Sequence, residues 1–402
     1  MRIETVWTTE ADSARAAREA ADELALRLGG PPSLVIVYTT VTHDHDALVG
    51  ALRARLPDVP LHGGSSCLGV MSRDGFHSSA GTGLGLLGIR DPEGDYGVGA
   101  AEIGDDARAA GSAAIERAIA AVERDGEPPD FVWIAGVPGH EERLIQGVQD
   151  VLGTGVPIAG GSTADNDVSG RWLQIAGATV SRNSVVVTAM YPSTEVHVAF
   201  HSGYSPTART GVATRASGRV LHELDGRPAA RVYNEWTGGV LDDHLAGGGV
   251  LGLTTLHPLG REVGEVGGLP YHRLSHPDAV TPDGGLSLFT DVAEGERLTL
   301  MTGTRDSLVT RAGRVARTAL GAGQLDPGDI AGALVVYCAG CMLTVQDDMA
   351  RVADVIAEAL GEAPFLGTFT FGEQGCFVGG ENHHGNLMIS VVVFQRDDEA
   401  AG

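Results

Sequence analysis

Two thiols at the spacing Cys338-Ala339-Gly340-Cys341 stand between an apolar run and a helix-like segment. A helix N-terminus lowers a thiol pKa, so this is the setting in which a redox pair works. The competing reading is that Cys338 closes a buried strand and packs as a small hydrophobe. Glu373, which follows Gly372, and the run His383-His384-Gly385-Asn386 are the next groups able to do chemistry. A hairpin folded back over this corner would bring Glu373 and His384 to one ligand, as an anion and a neutral donor. With Cys338 as nucleophile and Glu373 as general base, the same residues would make a hydrolase. The sequence offers no third residue to orient them, so it favours binding over catalysis.

Glycine corners carry the second group of candidates. Gly63-Gly64-Ser65-Ser66-Cys67 and Gly160-Gly161-Ser162-Thr163-Ala164-Asp165 present backbone amides and hydroxyls that suit a carboxylate or another small polar group. Turn formation alone would also explain the glycines. In Thr39 to Asp46, His43 and His45 could ligate a metal, but no third ligand is in view, and helix capping by Asp44 or Asp46 accounts for the loop. Gly83-Leu84-Gly85-Leu86-Leu87-Gly88 fits a dinucleotide fingerprint in letters only, because Ile89-Arg90-Asp91-Pro92 follows it where a helix is required.

The elements that must position these residues recur. Ser33 to Tyr38, Asp130 to Ala135 and Ala333 to Cys338 read as buried strands. Each precedes an amphipathic segment, over Asp46 to Leu56, Glu141 to Leu152 and Gln346 to Leu360, and then a second strand that ends at Gly63, Gly160 or Gly367. An upstream strand and long helix complete each unit, with Ile3 to Thr8, Tyr96 to Ile103 and Arg297 to Gly303 as the leading strands. Three β-α-β-α-β-β-β units are expected. The fold class is α/β: repeated strand-helix units forming two lobes, mixed sheets with helices packed on them, and an inserted β-rich region over about Val196 to Gly295 with a helix near Pro228 to Trp236. In open α/β sheets small ligands bind beyond the carboxyl ends of strands, which points to the loops after Tyr38, Ala135 and Cys338.

Bulk properties narrow the function. The chain has 402 residues, a net charge of −24 and 58 glycines. That charge repels phosphate backbones and anionic lipid, so nucleic acid and membrane partners are disfavoured. All 28 basic residues are Arg, and the absence of Lys removes a pyridoxal Schiff base and the usual phosphate-binding loop. No sign of a nicotinamide site remains either. The four cysteines are too few for a secreted disulfide framework, and the N-terminus lacks an apolar signal region, so a cytoplasmic location is expected.

The corner PLHGGSSC, the segment VPIAGGSTADND, the stretch ELDGRPAARVYNEW and the pair LVVYCAGC with FLGTFTFGE, followed by HHGNLMISVVVF, together resemble the FIST N and FIST C domains. The resemblance implies a FIST N domain over 30–225, with 1–29 as its leading strand and helix, and a FIST C domain over 226–380 extending to 395. An acidic tail, 396–402, would follow. It implies a stand-alone bacterial sensor of a small ligand such as an amino acid or another polar metabolite. Matching site positions are Gly63, Ser65, Ser66, Cys67, Gly160, Gly161, Asp165, Cys338, Gly372, Glu373 and Asn386. Some members are thought to bind haem and report nitric oxide to a histidine kinase, for which His140, His201 and His384 would be the ligand candidates. Cys341 stands where the family commonly has Arg, which puts a bidentate carboxylate contact there in doubt. With no kinase, cyclase or transmembrane segment recognisable, output is expected to pass through a separate partner.

Overall fold

A computed structural model describes residues 1–266, 269–377 and 380–396. Strand Leu34–Thr39 shows how the sequence builds the architecture. All six of its residues are buried, yet successive side chains face opposite ways. Leu34, Ile36 and Tyr38 enter a central core, while Val35 and Val37 pack beneath the helices Ser13–Leu28 and His45–Arg55. Near-continuous apolar runs are the sequence form of a strand buried on both faces.

The first unit runs through strand Arg2–Thr8, the two helices with Leu34–Thr39 between them, strand Leu61–Ser65, the hairpin Val70–Ser72 with Gly75–His77, and strand Leu84–Arg90. The second repeats this order with strands Asp95–Glu102, Phe131–Gly136, Ile158–Ser162 and Ser184–Tyr191, around helices Ala107–Ala120 and Glu141–Leu152. The third uses strands Val196–Ser202, Ile330–Cys338, Phe365–Thr370 and Met388–Gln395 with helices Arg305–Gly323 and Met349–Leu360. Each sheet is mixed: its second and third strands are parallel, as in Val132↔Ile158, and the remaining pairs are antiparallel.

The hairpins do not stay with their own units. Gln174–Ala176 of the second unit pairs with Leu61–Ser65 of the first. Glu373–Cys376 of the third pairs with Ile158–Ser162 of the second, and Val70–Ser72 of the first pairs with Phe365–Thr370 of the third. Every sheet is thus completed by a neighbour in a closed cycle. The three sheets share one core, containing Tyr38, Phe131, Trp133, Leu334, Val336 and Phe394. The Trp133 indole donates to the Tyr38 hydroxyl at 3.1 Å, so the polar edge of that core is satisfied between units.

Between strand Val196–Ser202 and helix Arg305–Gly323 lies the expected insertion, a nine-stranded antiparallel sheet with helix Ala229–Thr237 and a core of its own. Its limits differ from the sequence reading. Arg297–Thr302 belongs to the inserted sheet, where it pairs with Ser205–Ser217, and Val196–Ser202 leads the third unit in register with Met388–Gln395. Adjacency to the long helix suggested the wrong strand, because pairing follows the free edge rather than sequence order.

Candidate functional site

A cavity of about 250 Å³ opens where the second unit, the third unit and the inserted sheet meet. Its walls are mainly apolar. Val168 and Trp172 come from the second unit, Leu343 and Phe371 from the third, Leu251 and Phe289 from the insertion. Trp172 and Phe371 meet edge to face with ring centroids 6.1 Å apart. The polar end is formed by Glu141, Arg219, His276, Cys338 and Asn386.

Glu141 opens helix Glu141–Leu152, and the partial positive charge of the helix start favours a carboxylate there. It is only 2% exposed. Gly139 N–H donates to both carboxylate oxygens, at 3.1 and 3.0 Å, and the Ser162 hydroxyl donates at 2.6 Å. Arg219, from the turn after strand Ser205–Ser217, donates through Nη2 to Glu141 and to Glu142, each at 2.7 Å. Glu142 also accepts from Asp291 N–H and pairs with His384 Nδ1, both at 3.0 Å. Burial alone would raise both carboxyls, but His384 and Arg219 outweigh it and hold them below the usual carboxylate range.

Glu141, Glu142 and His384 bring three ligand atoms within 4.8 Å of one another, the sole such group among the described residues. The Arg219 guanidinium is bonded to both carboxylates, so a cation would have to displace it; the set is an ion-pair network. That guanidinium also supplies a positive charge beside the cavity, although Cys341 is buried near the Tyr204 hydroxyl, 3.7 Å away.

The sequence candidates separate into groups. Cys338 and Asn386 line the cavity. Ser162 and His384 brace its charged end, and a Cβ on Gly372 would lie 2.6 Å from His384 Nε2. Asp165 accepts from the backbone of Asp167 and Arg171, which shapes the loop carrying Val168 and Trp172. Gly63, Gly64, Gly160 and Gly161 lie within strands and serve close packing: a Cβ on Gly64 would sit 2.3 Å from Thr163 Cγ2. Ser65 accepts from Leu173 N–H and Ser66 from Phe369 N–H, so these hydroxyls close seams between units. Cys67 is buried there, its thiol pushed up to about 12. His43 meets the Ser13 hydroxyl, His45 the Thr40 carbonyl, and Asp44 caps the helix by accepting from Ala47 N–H.

Glu373 is fully buried behind Cys338. Its carboxyl accepts from the Thr370 hydroxyl at 2.7 Å and Met388 N–H at 3.1 Å. Burial pushes Glu373 well above the carboxylate range, and burial with the adjacent Cys341 pushes Cys338 up as well. Both shifts favour the uncharged forms, which works against a charged general base and a thiolate here. Stability should record this. An acid with a raised folded pKa costs stability as pH climbs above its unfolded value, by about 1.4 kcal/mol per pH unit until the folded pKa is reached. Glu373→Gln should therefore gain on the wild type in urea melts as pH rises above about 5; a pH-independent difference would show that the Glu373 pKa is not raised in the fold.

Haem does not fit these residues. The cavity is smaller than the range of about 300–1,000 Å³ usual for drug-sized ligands. His140 is exposed, His201 lies against Arg311 and Tyr271, and His384 is committed to Glu142.

Sequence reasoning missed Glu141, Arg219, Trp172, His276, Phe289 and Phe371. Glu141-Glu142 at a helix start was the one local signal available for them.

The fold is that of an α/β protein with a charged, aromatic cavity between its units. Residues 33–227 match the FIST N domain and residues 229–376 the FIST C domain. The chain belongs to the FIST family. It is 34% identical over 92 residues to uncharacterized protein MJ1623 of Methanocaldococcus jannaschii, a match spanning 22% of this chain and 18% of that protein. Among solved structures it is similar to cyanuric acid hydrolase from A. caulinodans, with a TM-score of 0.35 and 11% identity over 98% of this chain and 99% of that one. A second cyanuric acid hydrolase structure gives 0.34 and 9% over the same shares. FIST domains are associated with signal transduction and small-ligand sensing. No helix among the described residues is long and apolar enough to cross a membrane.

Proposed function

We propose that this protein is a sensor that binds a compact, amino-acid-like metabolite in the cavity between its second unit, third unit and inserted sheet. The observation carrying this reading is the division of one small cavity into an aromatic wall and a charged, hydrogen-bonding end. Trp172, Phe371 and Phe289 suit an apolar side chain, while the Arg219 charge and the Asn386 amide lie where a polar head group would sit. The lining comes from three parts of the chain, so a ligand touching all of them biases their relative placement by binding one arrangement better. A signalling partner would read that bias.

Calorimetric titration against a panel of amino acids, with native mass spectrometry of the purified protein, tests the site. Trp172→Ala should weaken binding by about 10-fold or more, the loss expected when a large apolar contact is removed. Arg18→Gln, exposed on helix Ser13–Leu28 and outside the lining, should leave affinity unchanged. Saturable binding that ignores Trp172→Ala would place the ligand elsewhere.

A further inference from the structure

A second cleft lies in the inserted sheet. It encloses about 240 Å³ beside strands Leu259–Val266, Leu269–Ser275 and Arg297–Thr302, with His383 of the third unit at its edge. Arg261, Arg273 and Arg297 line it together with Glu262 and Glu296. Three cations against two carboxylates is a local excess of positive charge in a chain whose net charge is −24.

Arg261 is the anchor, at 4% exposure. Its Nε donates to Glu296 at 2.6 Å, and its Nη1 donates to the Thr290 hydroxyl at 3.1 Å and to Ser275. Its Nη2 is buried and has no partner among the described residues, and the same holds for Nε of Arg273. Glu296 is shared, lying 4.0 Å from Arg273 Nη2, while Glu262 is exposed. Buried donors on charged groups are costly when unmatched, so two of them lining one cleft call for an acceptor. The neighbouring guanidinium of Arg273 adds to burial in disfavouring the charge on Arg261, a strain that an anion relieves.

We propose that this cleft is a binding site for a small molecule bearing a carboxylate or phosphate group, held by Arg261 and Arg273 with Arg297 at the rim. Arginine forks match such oxyanions in geometry as well as charge. The site is separate from the cavity of the proposed sensor and stands or falls independently of it.

Calorimetric titration of the full chain with inorganic phosphate and, in a second arm, with succinate, at constant ionic strength, tests it. Saturable binding of at least one is expected, and the preferred arm distinguishes a phosphorylated ligand from a carboxylic acid. Arg273→Gln should weaken it by about 10-fold or more, the effect of losing a charge-assisted contact. Arg297→Gln, at an exposed rim position, should weaken it less and serves if Arg273→Gln does not fold. Arg18→Gln, exposed on helix Ser13–Leu28 of the first unit and outside the lining, controls for net charge. Neither anion saturating the wild type, or a folded rim or cleft variant binding as tightly as wild type, overturns the proposal.

Discussion

Gly160→Ala is expected to remove on the order of 4 kcal/mol of folding stability, a large part of the 5–15 kcal/mol typical of a domain. Two independent causes add. Gly160 has φ of +149°, which L side chains rarely adopt. An added Cβ would also lie 1.9 Å from the Ile134 carbonyl oxygen, and backbone in the middle of a paired strand cannot step aside. The same strand edge receives Gln374 of the third unit's hairpin, so a shift would also disturb the joint between units. Gly63 repeats the contact in the first unit, 1.9 Å from the Val37 carbonyl. Gly155→Ala, at an exposed position with nothing within 4 Å, should be nearly neutral. Urea denaturation of the three variants decides the matter: a folded Gly160→Ala protein of wild-type stability would mean the strands are not packed this closely.

Arg219→Met is expected to cost about 3 kcal/mol at neutral pH, since it leaves two largely buried carboxylates without their shared cation. An exposed pair such as Arg108 with Asp150 should lose far less on the same replacement, because water screens it. The pH dependence carries a definite sign. Glu141 and Glu142 are held below the ordinary value of 4.5, so their contribution is complete above that pH and is lost as pH falls through their folded values. Removing Arg219 weakens that depression. The gap between wild type and variant should therefore be widest near pH 7 and narrow below about pH 4.5. Urea melts at pH 7 and pH 4 supply the comparison, and a gap that does not shrink would show that Arg219 acts through packing instead of charge. Arg219 also ties the inserted sheet to the second unit, so the variant should lose affinity at the cavity.

By itself the sequence determined the local elements and the family. Runs such as Phe131–Gly136 and Ile330–Cys338 are apolar on both faces, and that pattern is visible without any knowledge of partners. Capping by Asp44 was legible for the same reason, because the acceptor and donor lie three residues apart. Tertiary structure decided how the units join. The exchange of hairpins around the three sheets depends on which strand edge is free, a non-local property that no window of sequence contains. The corner glycines show the difference most directly: their recurrence was plain, but a sequence does not reveal whether the space above a missing Cβ holds a ligand or another strand. Here the space above Gly64 and Gly161 is filled by Thr163 and Thr370. The charged end of the cavity arises because folding brings Arg219 from the inserted sheet to Glu141, 78 residues earlier.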